Sequence, residues 1–332
     1  MRMSADLAPT TGRAAAGPVT LVARVSCPAM TSSHRAVAFM LVSAAAFAVM
    51  GACVKAAGDV PLGEKVMVRN LITLVIAGAL AIRTRRPLLG RRSNQPLLLA
   101  RSLLGVGGVT CYFFAIGHLI LADAAMLTKV SPFFVAVFAA FFLGERAPWG
   151  VMLAMTVAFA GGLFIIKPRF DLSVVPALIG LGSSLFAGGA YTVLRALRTR
   201  EATATIVFHF SLVSVLATAP IVASDPYLPR GAEWLFLLGI GVGAAIGQLG
   251  LTVAYRSAPA AQISIYSYST ILFSALLGLI VWREIPDTLS LTGGVLIIAG
   301  GALAFAVRPS QSLDGAVDQP PAGDRSEPTN RP

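Results

Sequence analysis

Leu121 to Arg146, LADAAMLTKVSPFFVAVFAAFFLGER, constrains this chain more than any other stretch. About twenty apolar residues rising ~1.5 Å each cross the ~30 Å hydrocarbon layer of a bilayer, so Ala122 to Gly144 reads as a transmembrane helix. Lys129 and Pro132 stand in its middle. Proline donates no backbone N–H and displaces the bond that the Thr128 carbonyl would otherwise receive, so the helix should bend or open beside the lysine. A cation next to a broken helix at mid-membrane is the usual material of a substrate site in a transporter. The plain alternative is a lysine that snorkels or pairs internally at a packing kink.

Composition agrees. With 56% hydrophobic and 12% charged residues and a mean hydropathy of +0.78, a soluble globule is excluded and a polytopic membrane protein is indicated. The net charge of +11 sits mostly in short loops between apolar runs, where it reads as a topology signal, and no nucleic-acid partner is expected. Cys27, Cys53 and Cys111 have no metal-ligand spacing and read as packing residues. No metal site and no cofactor are expected. No HExxH, nucleophile elbow, phosphate loop or carboxylate pair is present, so an enzyme is not expected.

In chain order, residues 1–33 read as a disordered tail, with Met30 a candidate start, and residues 309–332 as a second disordered tail. Between them lie ten apolar spans. They run from about Ala36 to Ala56, Leu62 to Ile82, Pro96 to Ile116, Ala122 to Gly144 and Trp149 to Ile166, then Val174 to Leu194, Ala202 to Ala223, Trp234 to Ala254, Ala260 to Trp282 and Thr288 to Val307. Most of the 26 Lys and Arg fall in the two tails and the even-numbered turns, so both termini should be cytoplasmic. Lys167 and Arg169, between the fifth and sixth spans, are the exception.

The two halves, residues 34–168 and 172–308, repeat at one displacement of 139 positions. Phe47-Ala48 recurs as Phe186-Ala187, Ser131 as Thr270, Phe134 as Phe273, Glu145 as Glu284, and Ala160-Gly161-Gly162 as Ala299-Gly300-Gly301. Five spans per repeat is an odd number, so the second repeat must be inverted relative to the first, with a site near the bilayer centre between them. Gly239-Ile240-Gly241-Val242-Gly243-Ala244 has dinucleotide-fingerprint spacing, but it lies inside an apolar span with no strand before it. Gly239, Gly243 and Gly247 instead mark a close-packing helix face.

Glu64 and Arg69 in the second span, Arg101-Ser102-Leu103-Leu104-Gly105 opening the third, and the segment from Leu121 to Arg146 resemble the drug/metabolite transporter superfamily, specifically its ten-helix members with two EamA-type repeats. The resemblance covers roughly Ala36 to Arg308. In the second repeat the proline position is Ile271, and Gly-Glu becomes Arg283-Glu284. The resemblance implies secondary transport of small organic metabolites, often amino acids or related compounds and often outward, across a plasma or inner membrane by a multi-pass protein.

The residues expected at the substrate site are Lys129, Tyr268, Tyr266, Tyr191, Gln248, Arg69 and Arg101, with Pro132 as the helix kink. Lys129 and Tyr268 are partners at the common displacement and should sit at similar depth. A cluster of buried cations calls for a carboxylate or phosphate on the substrate. The competing reading makes Arg69 and Arg101 structural, bonded to helix-end carbonyls or to Glu64. The expected partners are a small-molecule substrate and the lipid bilayer, with a homodimer left open. An amino-acid-like carboxylate is the first substrate class and a phosphorylated or nucleotide-like metabolite the second; a non-transporting scaffold or lipid-handling protein is the alternative from another class. His118 is expected in a turn, His209 within the bundle, and Glu145 and Glu284 at helix ends, each steadying the turn that follows.

Overall fold

In hydrocarbon each unpaired backbone N–H or C=O costs several kcal/mol, which leaves helices as the economical way for such apolar runs to cross. The computed structural model describes residues 32–143, 149–167, 174–197, 200–257 and 264–307, and every regular element among them is helical. Residues 1–31 and 308–332, with Cys27 and Met30 among them, and Glu145 and Arg169 lie outside the described residues, while Ser32 and Ser33, expected in the tail, already belong to the first helix.

The first half contains α1 (Ser32–Ala56), α2 (Leu62–Arg83), α3 (Gln95–His118), α4 (Leu121–Thr128), α5 (Ser131–Leu143) and α6 (Trp149–Ile166). The second contains α7 (Val175–Leu197), α8 (Thr203–Ser224), α9 (Glu233–Ser257), a 3-10 turn (Ser264–Tyr268), α10 (Ser269–Trp282) and α11 (Thr288–Ala306). Eight helical stretches are long and apolar enough to cross a membrane, α4 and α5 together forming one of them, and Tyr266–Trp282 and Thr288–Ala304 are shorter apolar helices. Several ends run past the apolar residues: α3 reaches His118, α7 reaches Leu197, and α9 starts at Glu233. Polar residues at a membrane interface can continue the helical bonding at little cost, so hydropathy marks the apolar layer and not the helix end. His118 is accordingly the last residue of α3, exposed, with Nδ1 at 2.8 Å from the Phe114 carbonyl, and does not sit in a turn.

The break in the Leu121 helix falls where Pro132 dictates. α4 stops at Thr128, Lys129 and Val130 close tighter turns onto Met126 and Leu127 through N–H···O bonds of 2.9 and 3.2 Å, and α5 restarts at Ser131 with the proline in its first turn. In the second half the chain enters α10 through a 3-10 turn at the matching place, without a proline there.

Packing follows the internal repeat. α1 lies along α9 and α3 along α7, while α2 meets α8 and α6 meets α11. Exchanging the halves maps this scheme onto itself. At residue level, a Cβ on Gly161 would meet the Gly293 carbonyl at 2.6 Å, and one on Gly300 would meet the Ala154 carbonyl at 2.5 Å. These two contacts interchange under the 139-residue displacement. They also advance along α11 while retreating along α6, so the paired helices are antiparallel. α2 and α8 behave alike, with Gly63 against Ile221 and Val222 and Gly78 against Phe208. Gly247 faces Phe47 and Gly108 faces Phe186, again partners at the same displacement. On α9, Gly239, Gly243 and Gly247 do line the face that α1 approaches, as close-packing glycines.

Filling the α6–α11 crossing should therefore be costly. Gly293→Leu places side-chain atoms where a Cβ alone would come within 2.5 Å of the Gly161 carbonyl. It is expected to destabilise the protein by about 1–3 kcal/mol, read as a lower melting temperature in detergent. Gly117→Ala, where a Cβ meets nothing within 4 Å, should leave that temperature unchanged.

Candidate substrate site

The polar side chains inside the bundle separate into a cationic cluster, a pair at the broken helices and a latch at one end. The cationic cluster is formed by Arg69 on α2 and Arg101 on α3, whose guanidinium carbons lie 5.6 and 5.1 Å from the centre of the Phe210 ring on α8. Arg69 is buried and donates to the Asn70 side chain at 2.8 Å, and Asn70 in turn donates to the Val66 carbonyl. Nε of Arg69 and Nε of Arg101 are both buried without a hydrogen-bond partner. Gly105 makes the space, since a Cβ there would fall 2.5 Å from Arg101 Nη1 and 2.6 Å from the Phe210 ring. Tyr191 on α7 lies within electrostatic reach of both arginines.

Among the described residues neither arginine is paired with an acid. Glu64, the partner allowed for from the sequence, accepts instead from the Tyr227 backbone N–H at 3.3 Å. Among the described residues the ion pairs are Lys55–Glu284 and Lys167–Asp287. Two face-on guanidinium contacts with one ring recover part of the lost hydration, but a π-face does not neutralise charge.

A cavity of about 490 Å³ lies between the second half of α2, the start of α8 and α9, with Thr73 its residue nearest Arg69 along α2. Thr73, Ala77, Leu80 and Thr84 form one stripe along α2 on its wall, and Arg69 continues that stripe one turn further in. Gln248 and Ala245 of α9 line another side, and the exposed Arg86, Arg91 and Arg200 stand at the mouth with Glu201. Close by, His209 is held in the bundle, as expected, with Nδ1 2.9 Å from the Ser102 hydroxyl and Nε2 3.3 Å from Gln95.

Lys129 occupies the two-residue break between α4 and α5, partly buried, and its ammonium reaches Thr270 Oγ1 at 3.5 Å. Thr270 donates to the Ser267 carbonyl at 2.9 Å and lies in the first turn of α10, so the two broken helices meet here. Tyr268, the partner of Lys129 by displacement, turns its ring into an apolar cluster with Met126, Val130 and Ile297, over Gly301, where a Cβ would overlap it. Tyr266 is exposed. The structure thus gathers Arg69 and Arg101 in one place, with the half-exposed Tyr191 within electrostatic reach and the Gln248 cavity ending one turn of α2 away at Thr73, and puts Lys129 beside Thr270 at another. Phe210 and Asn70 were not singled out from the sequence, because a Phe or an Asn inside an apolar span carries no periodic or motif signal.

At the opposite end from the cavity mouth, Lys55 closing α1 is paired with Glu284 and donates to the Leu119 carbonyl at 2.8 Å. The other Glu284 oxygen accepts from the Leu121 N–H at 2.9 Å, so this acid caps α4 of the first half as well as ending α10. Its part is wider than steadying the turn after it. Lys167, ending α6, bonds Asp287 at 2.7 Å, and Asp287 accepts from the Ser290 N–H at 2.9 Å as the N-cap of α11. The Lys167 ammonium and then that N–H hold the Asp287 carboxyl below the usual carboxylate range, at about 2. Among the described residues no three of His, Cys, Asp and Glu converge as metal ligands.

With fold and site in view, comparison with known proteins becomes informative. A model of the EamA-like transporter family matches residues 34–167 and again residues 175–306. The chain belongs to this family. It is 41% identical over 256 residues to the pseudopaline exporter CntI of Pseudomonas aeruginosa, which covers 76% of this chain and 89% of that one. It is 29% identical over 255 residues to a riboflavin transporter of Brucella anthropi, covering 73% and 84%. A crystal structure, 18% identical, superposes with a TM-score of 0.61 over 81% of this chain and 96% of that one, and so shares the fold. The protein is a multi-pass membrane protein of a family of transporters, and its relatives are transporters rather than enzymes.

The latch gives a pH test with a definite sign. A carboxylate held below its ordinary value contributes stability that is present above the ordinary value of 3.8 and lost only as pH falls through about 2. Asp287→Ala should therefore lower stability by about 1 kcal/mol, the usual worth of an N-cap, to the same extent at about pH 5 and about pH 8. Melting temperatures of the two proteins across that range would check it.

Proposed function

We propose that this protein is a secondary transporter that exports small carboxylate-bearing, amino-acid-like metabolites across a plasma or inner membrane. The observation that carries the substrate class is the pair of arginines on Phe210, each with a buried Nε that lacks a partner and, among the described residues, without an acid. Burying two unneutralised charges is strongly unfavourable, and an anion arriving through the cavity would both neutralise them and supply the missing acceptors. The export direction is supported by the 41% identical relative described as a pseudopaline exporter.

The chain is read as ten spans, with α4–α5 and the 3-10 turn with α10 each counted as one, and with both termini cytoplasmic. The cavity mouth then faces the cytoplasm, where Arg86, Arg91 and Arg200 draw anions in, and the Lys55–Glu284 and Lys167–Asp287 latch shuts the outer face. In this conformation substrate loads from inside. Rocking of the two inverted repeats would part the latch and close the cavity around the substrate. Tyr191 and Gln248 orient the polar part of the substrate beside the arginines. Lys129 with Thr270, Tyr266 and Tyr268 stand at the crossing of the two broken helices, the joint that such rocking must bend.

Efflux from reconstituted vesicles loaded with a metabolite panel tests this reading. Carboxylates should be carried and their amides should not; a preference for phosphomonoesters would instead favour phosphorylated metabolites. Arg69→Gln or Arg101→Gln should weaken apparent affinity about ten- to a hundredfold, the ~1.5–3 kcal/mol of a charge-assisted bond, while the protein still inserts. Lys129→Met should slow turnover more than it changes affinity. Reporter fusions at Gly90 and Gly315 should signal cytoplasm and one at Tyr227 the opposite face; a cytoplasmic signal at Tyr227 would overturn the topology.

A further inference from the structure

The transport reading leaves one buried acid without a task. Asp123, in the first turn of α4, is 6% exposed. Its Oδ2 accepts from the Ser290 hydroxyl of α11 at 2.9 Å, and its Oδ1 is buried with no hydrogen-bond partner. The cations near it are already engaged, Lys167 by Asp287 and Lys55 by Glu284. Among the described residues, the other titratable groups near it are His118, which turns to the Phe114 carbonyl, Arg283, exposed at the end of α10, and Lys129, which reaches Thr270 from the far end of α4. The first turns of α7 (Val175–Ser184) carry no titratable residue. As an anion Asp123 would face one donor and, among the described residues, no free cation, in a site largely shut to water. As a neutral acid it still accepts from the serine and no longer holds an unpaired charge in that site, which is the larger of the two burial costs.

We propose that Asp123 is a proton-binding site inside the outer latch, protonated while α4, α6, α10 and α11 are drawn together and ionised once they part. On opening, the O–H bond breaks heterolytically and the proton leaves to the water that reaches the carboxylate; on closing it returns. The word "outer" rests on the topology proposed above, whereas the coupling between proton and latch does not. Because closing takes up one proton, acid favours the shut latch, and the open-to-shut ratio can change by up to about tenfold per pH unit.

The test uses the full chain in lipid nanodiscs without substrate, so its outcome is independent of the substrate class. Infrared spectra should show a protonated-carboxyl carbonyl band near neutral pH that disappears in Asp123→Asn and shifts in Ser290→Ala. Spin labels at Gly117 and Leu289 should report a population of longer distances that grows with pH by up to about tenfold per unit in the native chain. In Asp123→Asn, neutral at every pH yet still an acceptor for Ser290, that population should stay low and change less than about twofold. Asp287→Asn should keep both the band and the pH response. A band that persists in Asp123→Asn, no band at neutral pH in the native chain, or a pH-dependent distance change surviving in Asp123→Asn would each overturn the proposal.

Discussion

The structure depends on how a helix can be interrupted inside hydrocarbon without leaving backbone groups unpaired. At Lys129–Val130 the answer is a pair of tighter turns that keep donating N–H groups inward, and in the second half it is the 3-10 turn from Ser264 to Tyr268. Both interruptions are set where α4 and α10 approach each other, so Val130 is buried and Lys129 and Tyr268 are partly covered by protein, although Tyr266 stays exposed. Everything polar at the centre of the molecule is arranged around that placement. Lys129 and Thr270 can meet because neither helix fills the crossing with a full turn.

Around this centre, small residues set distance and charged residues set location. The glycines of α6, α9 and α11 let backbones approach until a methyl group would not fit, which supplies dispersion contacts where there is no hydrophobic drive between helices. Apart from Lys129 and Asp123, three groups of charges bear on the site. One is the arginine pair on Phe210, another is the ring of arginines at the cavity mouth, and the third is the latch, where every lysine is matched by an acid. This last feature accounts for Lys167 in the basic-residue distribution. Lys167 lies on the side otherwise poor in cations, but it is paired with Asp287 and so counts little as a topology signal.

How much could be read beforehand varied with the kind of interaction. The helical class, the break at Pro132, the repeat and the glycine-lined face of α9 were legible, because each depends on residue type at a fixed spacing along one helix or at one displacement. The packing of the halves then reproduced the displacement in space, through Gly161 with Gly293 and Gly300 with Ala154. Helix ends such as His118 were misplaced because hydropathy reports the apolar layer, whereas hydrogen bonding sets the end of the helix. The arginine cluster was half legible. Its two cations stood out in apolar spans, but the ring that holds them, Phe210, comes from a helix more than a hundred positions away and looks like any other phenylalanine. Glu284 was recognisable as a helix-end acid, yet its bond to the Leu121 N–H crosses the repeat boundary, and no pattern within one repeat could announce it.

One asymmetry in this otherwise two-fold design has a mechanical consequence. The interruption in the first half is enforced by a residue that can never rejoin the helical ladder, whereas its counterpart, with Ile271 at that position, has no covalent obstacle to winding up. One joint is permanent and the other can be made and unmade. Two conformations related by exchanging the roles of the halves would then differ in strain. Even empty, such a molecule has a preferred side on which to rest, in the manner of a balance whose arms are equal in length but not in stiffness.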